Sequence, residues 1–218
     1  MTAERARRLN VLRGAGLYLV TDDRLEQSAR RRILEETLSV GVQVVQLRDK
    51  RASARALYDE AVDLAKLCHQ RGALLIVNDR VDVAVASGAD GVHVGQDDLP
   101  ADRARPIVGS DLLLGVSAST VAEAIDVERS GADYLGFGAM FPTPTKSDAE
   151  YAGPAMLAAV KRQVRLPVVA IGGITALNVS EVLAAGADLV AVVSAVFGAA
   201  DPPGAAADFL AAVAAARD

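Results

Sequence analysis

The chain has 218 residues, 51% of them hydrophobic and only 4% aromatic, which suffices for one domain with a large core of Ala, Val and Leu. A formal charge of −5 and a pI near 5.1 leave no basic face for a nucleic-acid backbone, so the expected partner is a small molecule and not a nucleic acid. Cys68 is the sole cysteine, which excludes an internal disulfide and favours a reducing compartment.

Residues 4–8 are basic, yet the apolar stretch that follows is broken by Gly14 and Gly16, so no export signal is expected. The longest apolar run, 189–200, is far too short for a bilayer span. A cytoplasmic protein with no membrane partner is the expectation, and the sequence leaves a homo-oligomer open. Residues 1–16 read as a short N-terminal extension of a single domain covering 1–218.

Short apolar runs rich in Val, Leu and Ile then recur, each followed by a polar turn and a stretch with helical spacing, as parallel strands require. Strands are predicted at 17–21, 42–48, 74–78, 91–95, 112–117, 134–138, 168–172 and 189–194. Helices fit at 25–39, 54–71, 80–86, 121–130, 154–165 and 178–185, with 205–216 closing the chain and a shorter or irregular one at 99–107. The repeats Ser87-Gly88-Ala89-Asp90, Ser130-Gly131-Ala132-Asp133 and Ala185-Gly186-Ala187-Asp188 each stand before a strand, and Gly41 and Gly72 hold the same place in their units. Glycine there ends a helix in the left-handed region. Thr120 and Asn178, each with a Glu three residues on, read as helix N-caps. Eight such units favour a (β/α)8 TIM barrel over an open doubly wound sheet. The stretch Gly136-Phe137-Gly138-Ala139-Met140-Phe141 lacks the third glycine of a dinucleotide-binding turn.

In such a barrel, polar residues at the C-terminal ends of strands line the active-site mouth. On the second strand, Gln46, Arg48 and Lys50 share a face by period two, with Val42 and Val44 beneath them, which turns that face toward the barrel interior. Two cations there need a ligand anion or nearby carboxylates. Asp79 ends the third strand, and Asp98, with Asp97 as rival, follows the fourth. Adjacent strands are about 5 Å apart, and like charges at that range repel by several kcal/mol at an effective dielectric near ~20, so a cation belongs between the carboxylates. Arg48 or Lys50 can fill that place, and so can a Mg²⁺ ion that keeps several waters. Asn78 can serve a heterocycle and Ser117 adds a hydroxyl.

The stretch 138–148 is a polar loop stiffened by Pro142 and Pro144, presenting Thr143, Thr145 and Lys146 to an anion. Gly172-Gly173 and Val193-Ser194 match the place where these barrels hold a phosphate on backbone N–H groups, although Gly-Gly also reads as a tight turn. His93 lies mid-strand and reads as a satisfied interior residue, and His69, late in a helix, as a surface one. Two histidines and one cysteine make no zinc site.

Taken in order, the residues resemble the thiamine phosphate synthase (thiamine-phosphate pyrophosphorylase) family. The match runs through Leu17-Tyr18-Leu19-Val20-Thr21-Asp22, Gln46-Leu47-Arg48-Asp49-Lys50, Val77-Asn78-Asp79-Arg80, His93-Val94-Gly95-Gln96-Asp97-Asp98, Gly115-Val116-Ser117, Pro142-Thr143-Pro144-Thr145-Lys146, Ala170-Ile171-Gly172-Gly173-Ile174 and Val193-Ser194. The resemblance implies a transferase that joins hydroxymethylpyrimidine diphosphate to a hydroxyethylthiazole phosphate, or its carboxylated form, and releases pyrophosphate. It implies that Gln46, Arg48, Lys50, Asn78, Ser117 and Lys146 hold the pyrimidine diphosphate, with Arg48, Lys50 and Lys146 catalytic. By the same carry-over Asp79 and Asp98 hold Mg²⁺, and Thr143, Thr145, Gly173, Val193 and Ser194 hold the thiazole phosphate. The rival readings are a thiazole tautomerase on the same scaffold, which has no diphosphate to ionise, and a non-catalytic barrel that binds thiamine intermediates.

Overall fold

The computed structural model describes residues 1–142 and 151–217. Eight parallel strands close on themselves in sequence order: β1 Leu17–Val20, β2 Val44–Leu47, β3 Leu74–Asn78, β4 Gly91–Val94, β5 Leu113–Ala118, β6 Tyr134–Phe137, β7 Val168–Ile171 and β8 Leu189–Val192. This is the (β/α)8 barrel that the eight repeated units require. Around it run α1 Ala3–Gly14, α2 Gln27–Ser39, α3 Ala54–Gln70, α4 Val81–Ser87, α5 Ala101–Val108, α6 Val121–Arg129, α7 Gly153–Lys161, α8 Val179–Ala184, α9 Ser194–Phe197 and α10 Pro202–Arg217. Among the described residues no helix is long and apolar enough to cross a membrane.

The strands alternate between two cores, as their near-continuous apolar sequence demands. Leu17, Leu19, Val45 and Leu47 face the helices, whereas Tyr18, Val20, Val44, Leu74, Ile76, Leu113, Tyr134, Val169 and Leu189 fill the barrel. Val42 packs with the helix layer and not beneath Val44. The inward parity expected for 42–48 therefore holds only for Val44 and Gln46, because β2 begins at Val44 and ends at Leu47.

The N-terminal stretch is itself a helix. α1 sends Leu9 and Leu12 into the base of the barrel, and Arg5 and Arg8 reach Asp133 at 2.7 Å and Asp90 at 2.9 Å. These aspartates belong to the internal repeat, and their function there goes beyond what the glycines predict. Asp90 accepts the Leu75 N–H at 2.9 Å and returns its own N–H to the Leu75 carbonyl at 2.8 Å. Asp133 does the same to Leu114 and Asp188 to Val168, each with a cation alongside, Arg105 at 2.6 Å and Lys161 at 2.6 Å. Three copies of one clamp thus lock β4 on β3, β6 on β5 and β8 on β7, a register function carried by charge-assisted hydrogen bonds.

Helix starts follow the sequence in part. Thr120 and Glu123 form a full capping box. Asn178 does not cap α8: its Oδ1 accepts the Thr175 N–H at 2.8 Å and its Nδ2 donates to the Gly173 carbonyl at 3.1 Å, so it braces the loop before the helix instead.

Candidate active site

The C-terminal ends of the strands bring Gln46, Arg48, Lys50, Asn78, Asp79, Asp98, Ser117, Gly173, Val193 and Ser194 to one mouth. Thr143, Thr145 and Lys146 lie outside the described residues.

The acidic side of this mouth is built at the tips of β3 and β4. Asp79 is the one non-glycine residue at positive φ among the described residues, at 62°, a conformation that aspartate tolerates better than most side chains. Burial raises the pKa of its carboxyl, and the adjacent Asp98 carboxyl raises it further, while Lys50 opposes them. The Lys50 ammonium stands 3.5 Å from the Asp79 carboxylate. Asp98 is half-buried and its Oδ2 accepts the Gly95 N–H at 2.7 Å, whereas Asp97 is exposed, so the fold turns Asp98 and not its neighbour toward Asp79.

The basic side is arranged differently from the sequence expectation. Arg48 is not on an inward strand face, because the strand ends one residue earlier. Its backbone N–H bonds Thr21 Oγ at 2.8 Å and its guanidinium pairs with Asp23 at 3.2 Å. Lys50 projects from a loop that Asp49 holds, accepting from the Arg51 and Ala52 N–H groups and pairing at 2.9 Å with the buried Arg30. Lys50 alone of the two cations answers the aspartates.

The two glycines after β7 are required by close approach. A Cβ on Gly172, at φ 102°, would stand 2.8 Å from Ala139 Cα, and one on Gly173, at φ 65°, would stand 2.7 Å from the Phe141 carbonyl oxygen. The Met140 and Phe141 N–H groups bond the Ile171 and Gly172 carbonyls at 3.0 and 2.9 Å. The loops after β6 and β7 are therefore stitched together at the mouth. Val193 and Ser194 stand where β8 passes into the four-residue α9, so Ser194 begins a helix and does not end the strand.

Inside the barrel, Gln46 Nε2 donates to Tyr18 Oη at 2.9 Å, Tyr18 Oη lies 3.0 Å from Tyr134 Oη, His93 Nδ1 is 3.2 Å from Tyr134 Oη, and His93 Nε2 is 2.8 Å from Ser117 Oγ. His93 is thus the satisfied interior residue the sequence implies. Sequence reasoning missed Tyr134 as its partner and Tyr18 as the next link, although their inward parity on β1 and β6 was there to be read. Among the described residues no three His, Cys, Asp or Glu side chains gather as a metal cluster. The Asp79–Asp98 pair is instead a two-carboxylate oxygen donor set, which suits a hard cation that completes its shell with water or substrate oxygens.

A closed (β/α)8 barrel with an acidic pair, a lysine and a glycine-built loop at its mouth defines a class of enzyme that handles phosphorylated small molecules. A family model described as thiamine monophosphate synthase matches residues 17–196, and the chain belongs to that family. It is 49% identical over 183 residues to the thiamine-phosphate synthase of Methanospirillum hungatei, covering 83% of this chain and 89% of the relative. The Chloroflexus aurantiacus thiamine-phosphate synthase is 50% identical over 187 residues, 85% of this chain and 86% of that one. The solved thiamine phosphate pyrophosphorylase of Pyrococcus furiosus superposes with a TM-score of 0.88 at 38% identity, over 98% of this chain and 100% of the other. A 3-hexulose-6-phosphate synthase structure, at 20% identity and a TM-score of 0.73, shares the fold alone. The activity of this chain is that of a thiamine-phosphate synthase, a transferase of thiamine biosynthesis.

Proposed function

We propose that the mouth joins 4-amino-2-methyl-5-hydroxymethylpyrimidine diphosphate to 4-methyl-5-(2-hydroxyethyl)thiazole phosphate by dissociative substitution at the pyrimidine methylene, or to the carboxylated form of that thiazole, whose carboxylate then leaves as CO2 and is replaced by a solvent proton. Gln46, Asn78 and Ser117 hold the pyrimidine, and Arg48, Lys50 and Lys146 the diphosphate. Thr143, Thr145, Gly173, Val193 and Ser194 hold the thiazole phosphate, and Asp79 with Asp98 holds Mg²⁺. When bound, Mg²⁺ supplies charge neutralisation for the departing pyrophosphate.

The C–O bond between methylene and diphosphate breaks, and the thiazole nitrogen gives its lone pair to the methylene carbon. No proton has to be removed from that nitrogen, so the reaction needs no general base. The catalytic work is electrostatic and positional: Arg48, Lys50 and Lys146 stabilise charge as it develops on the leaving oxygen. The observation that carries this reading is the Asp79–Asp98 pair with Lys50 at 3.5 Å, an arrangement suited to a metal diphosphate and without use for a substrate that has none. Purified protein supplied with both phosphorylated precursors should form thiamine phosphate and pyrophosphate in equal amounts, and only with Mg²⁺ present. Rearrangement of a thiazole carboxylate phosphate with no divalent-ion dependence would replace this reading by a tautomerase.

A further inference from the structure

The hydrogen bonds that cross the barrel have a direction. Tyr18 is buried, and its hydroxyl takes the Gln46 Nε2–H at 2.9 Å; its other partner among the described residues is Tyr134 Oη at 3.0 Å, so the Tyr18 proton goes there. The Tyr134 proton then has His93 Nδ1, at 3.2 Å, as its acceptor. A neutral imidazole that accepts at Nδ1 carries its proton on Nε2 and donates it to Ser117 Oγ at 2.8 Å. With one lone pair of Ser117 so filled, its own proton is left for the mouth. At the other end, Gln46 has given an N–H to Tyr18, and its side-chain carbonyl oxygen has no partner among the described residues.

The barrel is hollowed to admit this chain. A Cβ on Gly115 would collide with the Tyr134 ring and stand 2.5 Å from His93 Nδ1, and one on Gly136 would stand 2.8 Å from His93 Cε1. Two adjacent strands, β5 and β6, therefore give up volume to the same imidazole.

We propose that His93, as its Nε2–H tautomer, is a positioning residue that sets the direction of this chain, so that Ser117 offers a donor and Gln46 an acceptor to the edge of an aminopyrimidine. That edge carries the complementary pair, an amino group that donates beside a ring nitrogen that accepts. The assignment rests on the pyrimidine reading above and names the polarity of its recognition.

Two measurements test it. In the His69→Gln background, ¹⁵N NMR of the remaining imidazole at pH 7 should show Nδ1 unprotonated and Nε2 protonated; an Nδ1–H tautomer or an imidazolium overturns the proposal. In steady-state kinetics, His93→Leu should raise KM for the pyrimidine diphosphate about tenfold, the loss of roughly one hydrogen bond, with KM for the thiazole phosphate within about twofold of wild type. His93→Gln, whose amide nitrogen can take the place of Nε2, should recover most of that loss. An equal change for both substrates, or no recovery with Gln, refutes a positioning role, and the NMR result stands even if His93→Leu fails to fold. If wild-type protein forms no thiamine phosphate, the functional reading fails while the tautomer is still read on its own.

Discussion

The Lys50 ammonium lies 3.5 Å from the Asp79 carboxylate, and the neighbouring Asp98 carboxyl works against it by raising the Asp79 pKa. The lysine therefore occupies in part the role a divalent cation would take, offsetting the repulsion of two carboxylates without removing it. Asp79→Asn keeps the side-chain shape and tolerates the positive φ, so it isolates the charge, whereas Asp79→Ala adds roughly 1–2 kcal/mol of backbone strain. Asp79→Asn should lower kcat by about a hundredfold or more with an unchanged denaturation midpoint, read by pyrophosphate release and urea unfolding.

Gly173 offers a test of the loop pairing after β6 and β7. Gly173→Ala places a Cβ 2.7 Å from the Phe141 carbonyl oxygen at a φ of 65°. The variant should lose about 1–2 kcal/mol of stability, and its KM for the thiazole phosphate should rise more than its KM for the pyrimidine diphosphate. Parallel initial-rate curves for the two substrates give the comparison.

The base of the barrel predicts a stability effect with no catalytic counterpart. Asp133 accepts from Leu114 N–H, Arg5 and Arg105 at once and is 5% exposed. Asp133→Ala takes this acceptor from the half-buried Arg5 and Arg105 guanidiniums and from a strand N–H and should cost about 2–3 kcal/mol in urea unfolding. Arg5→Ala removes only the α1 contact and should cost about 1 kcal/mol, with kcat unchanged in what folds.

Acid stability follows from His93. Its pKa in the fold is about 4 against 6.5 for a free imidazole, so between these values the unfolded chain binds a proton that the folded one refuses. The contribution is fully present above pH 6.5 and is lost as pH falls toward 4. Unfolding free energies of wild type and His93→Gln, taken without divalent ions at pH 7 and pH 4.5, should show the smaller acid loss in the variant.

Most of the scaffold was legible because the strands carry continuous apolar runs and the turns carry glycine. β3 has the predicted bounds, and the other strands differ by one or two residues at an end, where the last inter-strand hydrogen bond rather than the apolar pattern stops the strand. α1 was not legible: Leu9 and Leu12 are its only buried residues, and Arg5 and Arg8 beside them reach Asp133 and Asp90, more than 80 positions away. The clamp aspartates stood in plain view in the repeat, but a carboxylate that accepts from a neighbouring strand leaves no local periodicity. At the mouth, Asp79, Asp98 and Lys50 assemble as strand order implies, since β3 and β4 are neighbours. Arg48 does not, because pairing with Asp23 depends on how the chain turns after β2. The Tyr18–Tyr134–His93 chain spans β1, β6 and β4, and such cross-barrel contacts become visible only when the barrel closes.

In the proposed reaction the Asp79–Asp98 pair and Lys50 together draw pyrophosphate from carbon. A Mg²⁺ titration of pyrophosphate release by wild type, Asp79→Asn and Asp98→Asn tests it most directly. Strict Mg²⁺ dependence is expected in wild type and, in both variants, low turnover that rises only at much higher Mg²⁺ concentrations. Near wild-type turnover in both variants at the same Mg²⁺ concentration would contradict it.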